Sequence, residues 1–136
     1  ECGKYTYEGE KALFERLNAS QEDAMLVCIV DGKVAGSCEI TFNQHLKTKH
    51  RASVAIALLR EFWGQGIGTR LFQEMIGIAQ RHGGILQMEL EVVEGNDRAR
   101  HLYEKMGFRI AGVRPNAICL KDGRLLHEYL MIRTME

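Results

Sequence analysis

The chain holds 136 residues, 46% of them hydrophobic and 26% charged, which suffices for one packed domain and argues against disorder. Eighteen basic side chains balance eighteen acidic ones, so the basic excess of a general nucleic-acid binder is missing. The longest apolar run, residues 24–30, falls well short of the roughly 18–20 residues that cross a bilayer. The expectation is a single domain over residues 1–136 with neither a membrane nor a nucleic-acid partner.

Cys2, Cys28, Cys38 and Cys119 lie far apart, with no C-x-x-C pair to suggest zinc or redox chemistry. Reduced, structural thiols in a cytoplasmic protein are expected. His45 and His50 share a segment with Lys47, Lys49 and Arg51, which would repel a cation, so no metal site is expected.

In chain order, residues 8–18 carry Ala12, Leu13 and Leu17 among charges and read as an amphipathic helix. Residues 24–30 read as a strand, Asp31-Gly32 as a hairpin turn, and residues 34–43 as its partner. A polar loop leads to residues 52–59, apolar throughout, as for a strand buried on both faces. Leu71, Phe72, Met75, Ile76 and Ala79 recur at helical spacing over residues 69–82, and Gly83-Gly84 closes that helix. Residues 85–93 form the next strand. Asn96 then opens a helix with its apolar stripe at Ala99, Leu102, Tyr103 and Met106 and its cap at Gly107. Residues 108–113 and 118–135 read as an antiparallel pair turning at Asp122-Gly123. This order predicts an α/β protein with a mixed sheet.

Between a strand and a helix stands Trp63-Gly64-Gln65-Gly66-Ile67-Gly68-Thr69. Alternating glycines clear side chains from the backbone, and the N–H groups at a helix start favour an anion such as pyrophosphate. A ligand-free glycine turn is the alternative. No lysine follows Gly68, so this is no Walker loop, and the spacing is not that of a dinucleotide fingerprint.

This turn resembles the pyrophosphate motif of the GNAT superfamily of acetyl-CoA-dependent N-acetyltransferases. That motif, Arg/Gln-x-x-Gly-x-Gly/Ala, is matched everywhere except at Trp63. A second family pattern, Asn-x-x-Ala-x-x-Leu-Tyr-x-Lys-x-Gly-Phe, is filled by Asn96, Ala99, Leu102, Tyr103, Lys105, Gly107 and Phe108. The resemblance covers residues 24–135. It implies the acyl-CoA N-acyltransferase fold, a mixed antiparallel/parallel sheet flanked by helices, in a domain whose N-terminal strand and helices are incomplete here. It also implies acetyl-CoA as co-substrate. Two parallel strands that splay apart would admit pantetheine near the backbone of Leu58. Pyrophosphate would sit on Gly64, Gln65, Gly66, Ile67, Gly68 and Thr69, and Asn96 would hold the cofactor arm.

The same resemblance gives Tyr103 as the acid that protonates the leaving thiolate; its place in the apolar stripe allows a purely structural role. Residues 52–59 lack the glutamate that many members use as base. Ribosomal-protein N-terminal acetyltransferases instead carry Leu-Glu-Val before the motif asparagine, and Leu90-Glu91-Val92 reproduces that spacing. Glu91 is the candidate base, in a cleft expected to raise its pKa; a solvated strand face is the alternative. Glu39 and Glu128 stand behind it as substitutes. The expected activity is direct acetyl transfer to a primary amine: a protein N-terminus, a lysine or a small molecule. The other reading is a CoA-binding regulatory module without catalysis. The final strands leave pairing into a homodimer open.

Overall fold

The computed structural model describes residues 4–7, 12–16 and 23–135. These divide between two units, Glu1–Ile85 and Leu86–Glu136, and the strand pairings within each are antiparallel.

In the first unit, β1 (Lys4–Tyr7), β2 (Ala12–Arg16), β3 (Asp23–Val30), β4 (Lys33–Phe42) and β5 (Arg51–Leu58) lie side by side in chain order. Asp31 and Gly32 join β3 to β4 with φ of +51° and +77°, the left-handed pair whose twist suits a two-residue hairpin. A single 3-10 turn, Arg60–Phe62, precedes helix α1 (Ile67–His82). The helix packs against β3, β4 and β5. Its stripe of Ile67, Leu71, Phe72, Met75, Ile78 and Ala79 is buried. Each large apolar side chain so covered contributes about 1.5–3 kcal/mol relative to exposure.

Two expectations fail in this unit. The helix expected over 8–18 is contradicted at residues 12–16, which form β2 and pair with β3; the rest of that span, like Cys2, lies outside the described residues. Phe14 gives the reason. It sits opposite Cys28, and both are fully buried, so sheet pairing outweighs the weak local helical spacing. The strand expected to be buried on both faces instead alternates. Ala52 and Val54 are buried, whereas Ser53, Ala55 and Ala57 are exposed. Alanine reads as apolar in a sequence yet tolerates water because it carries little apolar area.

The second unit holds β6 (Gln87–Val93), α2 (Asp97–Lys105), β7 (Arg109–Cys119) and β8 (Leu125–Thr134). The last strand is the middle one, paired with both β6 and β7. One face of β8 meets α2: the Arg100 guanidinium lies 5.5 Å over the Tyr129 ring, and Arg133 Nε donates to the Met106 carbonyl at 2.9 Å. Met88, Leu90, Val92 and Met131 are buried on that same face, as cross-strand register requires. Glu91, Val93, Glu128 and Leu130 alternate to the other.

Helix α2 ends in a Schellman motif. Gly107, with φ +97°, donates its N–H to the Glu104 carbonyl, and Phe108 donates to the Tyr103 carbonyl, both at 3.0 Å. A side chain at Gly107 would also press on Arg133, 3.2 Å from Nε. The Tyr–x–x–x–Gly–Phe spacing is therefore a helix stop as well as a family pattern.

Candidate acetyltransferase site

In the first unit the glycine turn has the conformation that its composition suggests. Gly64 and Gly66 take φ of +75° and +81°, and Gly66 is the N-cap of α1. The first intrahelical bond runs from Arg70 N–H to the Gly66 carbonyl at 3.0 Å. The Ile67 and Gly68 N–H groups stand ahead of it at the helix start, where amides have no intrahelical carbonyl to bond. Gly66 brings no side chain to cap them, and no acidic residue stands in the first turn. Such a cradle fits a pyrophosphate, because it offers donors and the positive end of a helix dipole without a competing carboxylate.

Trp63, where the motif expects arginine or glutamine, has a definite job. Its indole Nε1–H donates to the Leu58 carbonyl at 3.1 Å, tying the start of the turn to the end of β5. Arg60 lies 5.4 Å over the indole ring, and the Gln65 amide donates to the Glu61 carbonyl at 3.3 Å. Lys33 Nζ pairs with Glu61 at 3.0 Å and sits 5.9 Å over Phe62. The Leu58 carbonyl keeps a second lone pair for another donor. Glu39 stands elsewhere in this unit, exposed beside a hollow of about 230 Å³ with Met25, Ser37, Ala55 and Ala57.

In the second unit Asn96 performs the capping role: its side-chain oxygen accepts the Ala99 N–H at 3.4 Å. Tyr103 is buried on α2, its ring edge-on to Phe108 with centroids 6.4 Å apart. Burial pushes its phenol above the ordinary 10.0, so the hydroxyl stays protonated and able to donate at neutral pH. Glu91 lies on the sheet face away from α2, its side chain about half exposed. The structure thus does not bring Glu91 and Tyr103 together; they serve opposite faces of one sheet.

Glu91 has company that sequence reasoning missed. A hollow of about 370 Å³ is lined by Glu91, Arg114, Glu128 and Leu130. Arg114 Nη1 donates to Glu128 Oε1 at 3.1 Å, while its Nη2 lies 3.8 Å from Glu91 Oε2. Glu128, one of the substitutes for Glu91, is therefore the partner of an arginine.

The two buried thiols of the first unit are poor nucleophiles. Burial pushes Cys38 up to about 12, with the Glu74 and Glu39 carboxylates adding to it, and pushes Cys28 up to about 11.

The chain belongs to the Acetyltransferase (GNAT) family, whose model matches residues 2–108. It is 32% identical over 111 residues to an uncharacterized N-acetyltransferase of Methanocaldococcus jannaschii, covering 77% of this chain and 49% of that protein. It is 25% identical over 119 residues to the spermidine N(1)-acetyltransferase of Escherichia coli strain K12, covering 88% and 57%. The chain therefore spans about half the length of the curated relatives it matches. A crystal structure of a GNAT-family acetyltransferase from Streptococcus pneumoniae superposes with a TM-score of 0.80 at 31% identity, over 86% of this chain and 70% of that one. The expected α/β acyl-CoA N-acyltransferase fold is the fold found.

Proposed function

We propose that this chain transfers the acetyl group of acetyl-CoA directly to a primary amine. The observation that carries this reading is the glycine turn, where Gly64 and Gly66 in left-handed conformations open the uncapped start of α1. Gly64, Gln65, Gly66, Ile67, Gly68 and Thr69 hold the pyrophosphate, and the Leu58 backbone and Asn96 hold the cofactor arm. Acetyl-CoA supplies an activated thioester; the remaining chemistry belongs to the protein's side chains.

Glu91 accepts the proton of the acceptor ammonium, directly or through water, and frees the nitrogen to attack. Tyr103 delivers a proton to the departing sulfur. The two residues lie on opposite faces of the β6–β8–β7 sheet, so no proton relay runs between them. General acid or base help of this kind is worth about 10²–10⁴-fold each.

The acceptor is a small-molecule amine, a lysine or a protein N-terminus. The spermidine acetyltransferase among the relatives supports the first of these. The buried free thiols of Cys28 and Cys38 support a reducing, cytoplasmic setting.

The test incubates the protein with isotope-labelled acetyl-CoA and a panel of polyamines, amino acids and peptides with free N-termini, and reads labelled products by mass spectrometry. Label on an amine, reduced in Tyr103→Phe and Glu91→Gln, is expected. Acetyl-CoA binding without label above a protein-free control would leave a silent CoA-binding module instead.

A further inference from the structure

The hollow beside Glu91 carries more than a base. Its charged groups are two carboxylates, on β6 and β8, and one guanidinium, on β7. They are not equivalent. Arg114 is directly opposite Glu128 in the β7–β8 register and bound to it at 3.1 Å, and the Glu128 side chain is only 18% exposed. Glu128 is thus committed to holding Arg114 in place. The other edge of the guanidinium faces Glu91 across 3.8 Å, too far for a hydrogen bond, with both side chains more than half exposed. What the hollow presents is one cation and one anion side by side, ion-paired at 3.8 Å but with no hydrogen bond between them, so each keeps hydrogen-bonding capacity for a ligand.

That arrangement complements a small zwitterion. In an α-amino acid one carbon separates the amine nitrogen from the carboxylate carbon, a distance of about 2.5 Å. Charge-assisted hydrogen bonds of about 2.8 Å would let the ammonium reach Glu91 while the carboxylate reaches Arg114. The result is a closed ring of four alternating charges across the 3.8 Å gap. The volume, about 370 Å³, lies at the low end for small-molecule sites. Gly112 and Leu130 supply apolar wall for a side chain.

We propose that the amine acceptor is a free α-amino acid, and that Arg114, pinned by Glu128, is the residue that selects it by binding its carboxylate. This rests on the reading of Glu91 as the base. The ammonium gives one proton to Glu91, which passes it to solvent; the nitrogen bonds to the acetyl carbon and the carbon–sulfur bond breaks. The nitrogen then releases its second surplus proton to solvent, and Tyr103 protonates the thiolate and is itself reprotonated from solvent. The products are an N-acetylamino acid and free CoA.

The test compares matched acceptors that differ only by the carboxylate: L-leucine against 3-methylbutylamine, and L-lysine against 1,5-diaminopentane, each with labelled acetyl-CoA. The wild-type protein is expected to favour the amino acid of each pair by at least 10-fold in kcat/KM. Arg114→Gln is expected to lower that preference about 10–100-fold, mainly through KM, which is the worth of one charged hydrogen-bond pair. Arg114→Lys, which keeps the charge and loses the fork, should restore part of it. Circular dichroism checks that both variants stay folded.

Equal or better acetylation of the decarboxylated amines overturns the proposal. So does a gain in diaminopentane turnover in Arg114→Gln, which would make the guanidinium a stand-in for a second substrate cation. Label on peptide N-termini alone also overturns it and leaves the acetyl-transfer reading intact. No label on any amine, despite acetyl-CoA binding, overturns both.

Discussion

Phe108 holds Tyr103 twice: its backbone N–H donates to the Tyr103 carbonyl at 3.0 Å, and its fully buried ring meets the tyrosine ring edge-on at 6.4 Å. The first contact ends α2 and the second fixes the direction of the candidate acid. A residue that terminates a helix therefore also aims a hydroxyl. Phe108→Ala should lower kcat and stability together, with about 3–5 kcal/mol lost for a buried aromatic. Phe108→Leu, which keeps the helix stop and apolar contact, should recover most of the stability but less of the rate. Thermal unfolding and steady-state kinetics separate the two.

Tyr103→Phe removes only the hydroxyl. Its expected effect is a fall in kcat of about 10²–10⁴-fold with acetyl-CoA affinity nearly unchanged. Because burial raises the phenol, the wild-type rate should not decline on account of this group until the pH passes 10.0. The same sign governs stability: the preference for the protonated phenol in the fold helps below pH 10.0 and is lost as the pH rises through the raised value. Rate profiles of both proteins between pH 7 and 11 test this.

Gly66→Ala would force a side chain into a left-handed N-cap, at about 1–2 kcal/mol. Weaker acetyl-CoA binding should accompany the loss of stability, because the same backbone forms the proposed cradle. Gly64→Ala meets open space, so its cost is conformational alone. Calorimetric titration with acetyl-CoA, set beside thermal unfolding, measures each effect.

Trp63→Phe deletes the N–H that holds the Leu58 carbonyl while keeping an aromatic ring under Arg60. A loss of about 2–10-fold in acetyl-CoA affinity is expected, the range for one net hydrogen bond. Trp63 is the only tryptophan of the chain. Its fluorescence should change on acetyl-CoA addition, and an unchanged spectrum at saturation would contradict the placement of the cofactor on this turn.

A thiol-exchange reagent at neutral pH should label exposed Cys119 and spare Cys28 and Cys38 until the protein unfolds. Both buried thiols have pKa values raised from 9.0, to about 11 and about 12. Their contribution to stability is complete below pH 9.0 and falls as the pH climbs towards those values. Peptide mapping after labelling, at rising pH, reads the order of exposure.

Much of this was legible in the residues. The glycine turn, the Asn96 cap and the Gly107 stop are local signals, and each appears where its spacing put it. The α1 stripe does so at Leu71, Phe72, Met75 and Ala79, while Ile78 rather than Ile76 is the buried isoleucine of its second half. What depended on distant partners was not. Nothing near Phe14 announces that Cys28 will lie across from it. Arg114 was hidden by a register shift between Arg114 and Ile118. Counting back from the Ile118–Leu126 pair would set Arg114 opposite Leu130, whereas the irregularity sets it opposite Glu128. The one sequence cue is Pro115, which cannot donate to a ladder; in the structure Asn116 beside it takes a positive φ of +54°.

The central place of β8 has a consequence for how the second unit is made. β6 and β7 each pair with β8, which leaves the ribosome after both. Until residues 125–134 emerge, neither neighbour has its partner within the unit, and Glu91, Arg114 and Glu128 have no common surface on which to meet. The hollow that would read an amino acid is therefore a late product of synthesis, and a nascent chain stalled before Leu125 carries two of its three charged groups without the strand that sets them side by side.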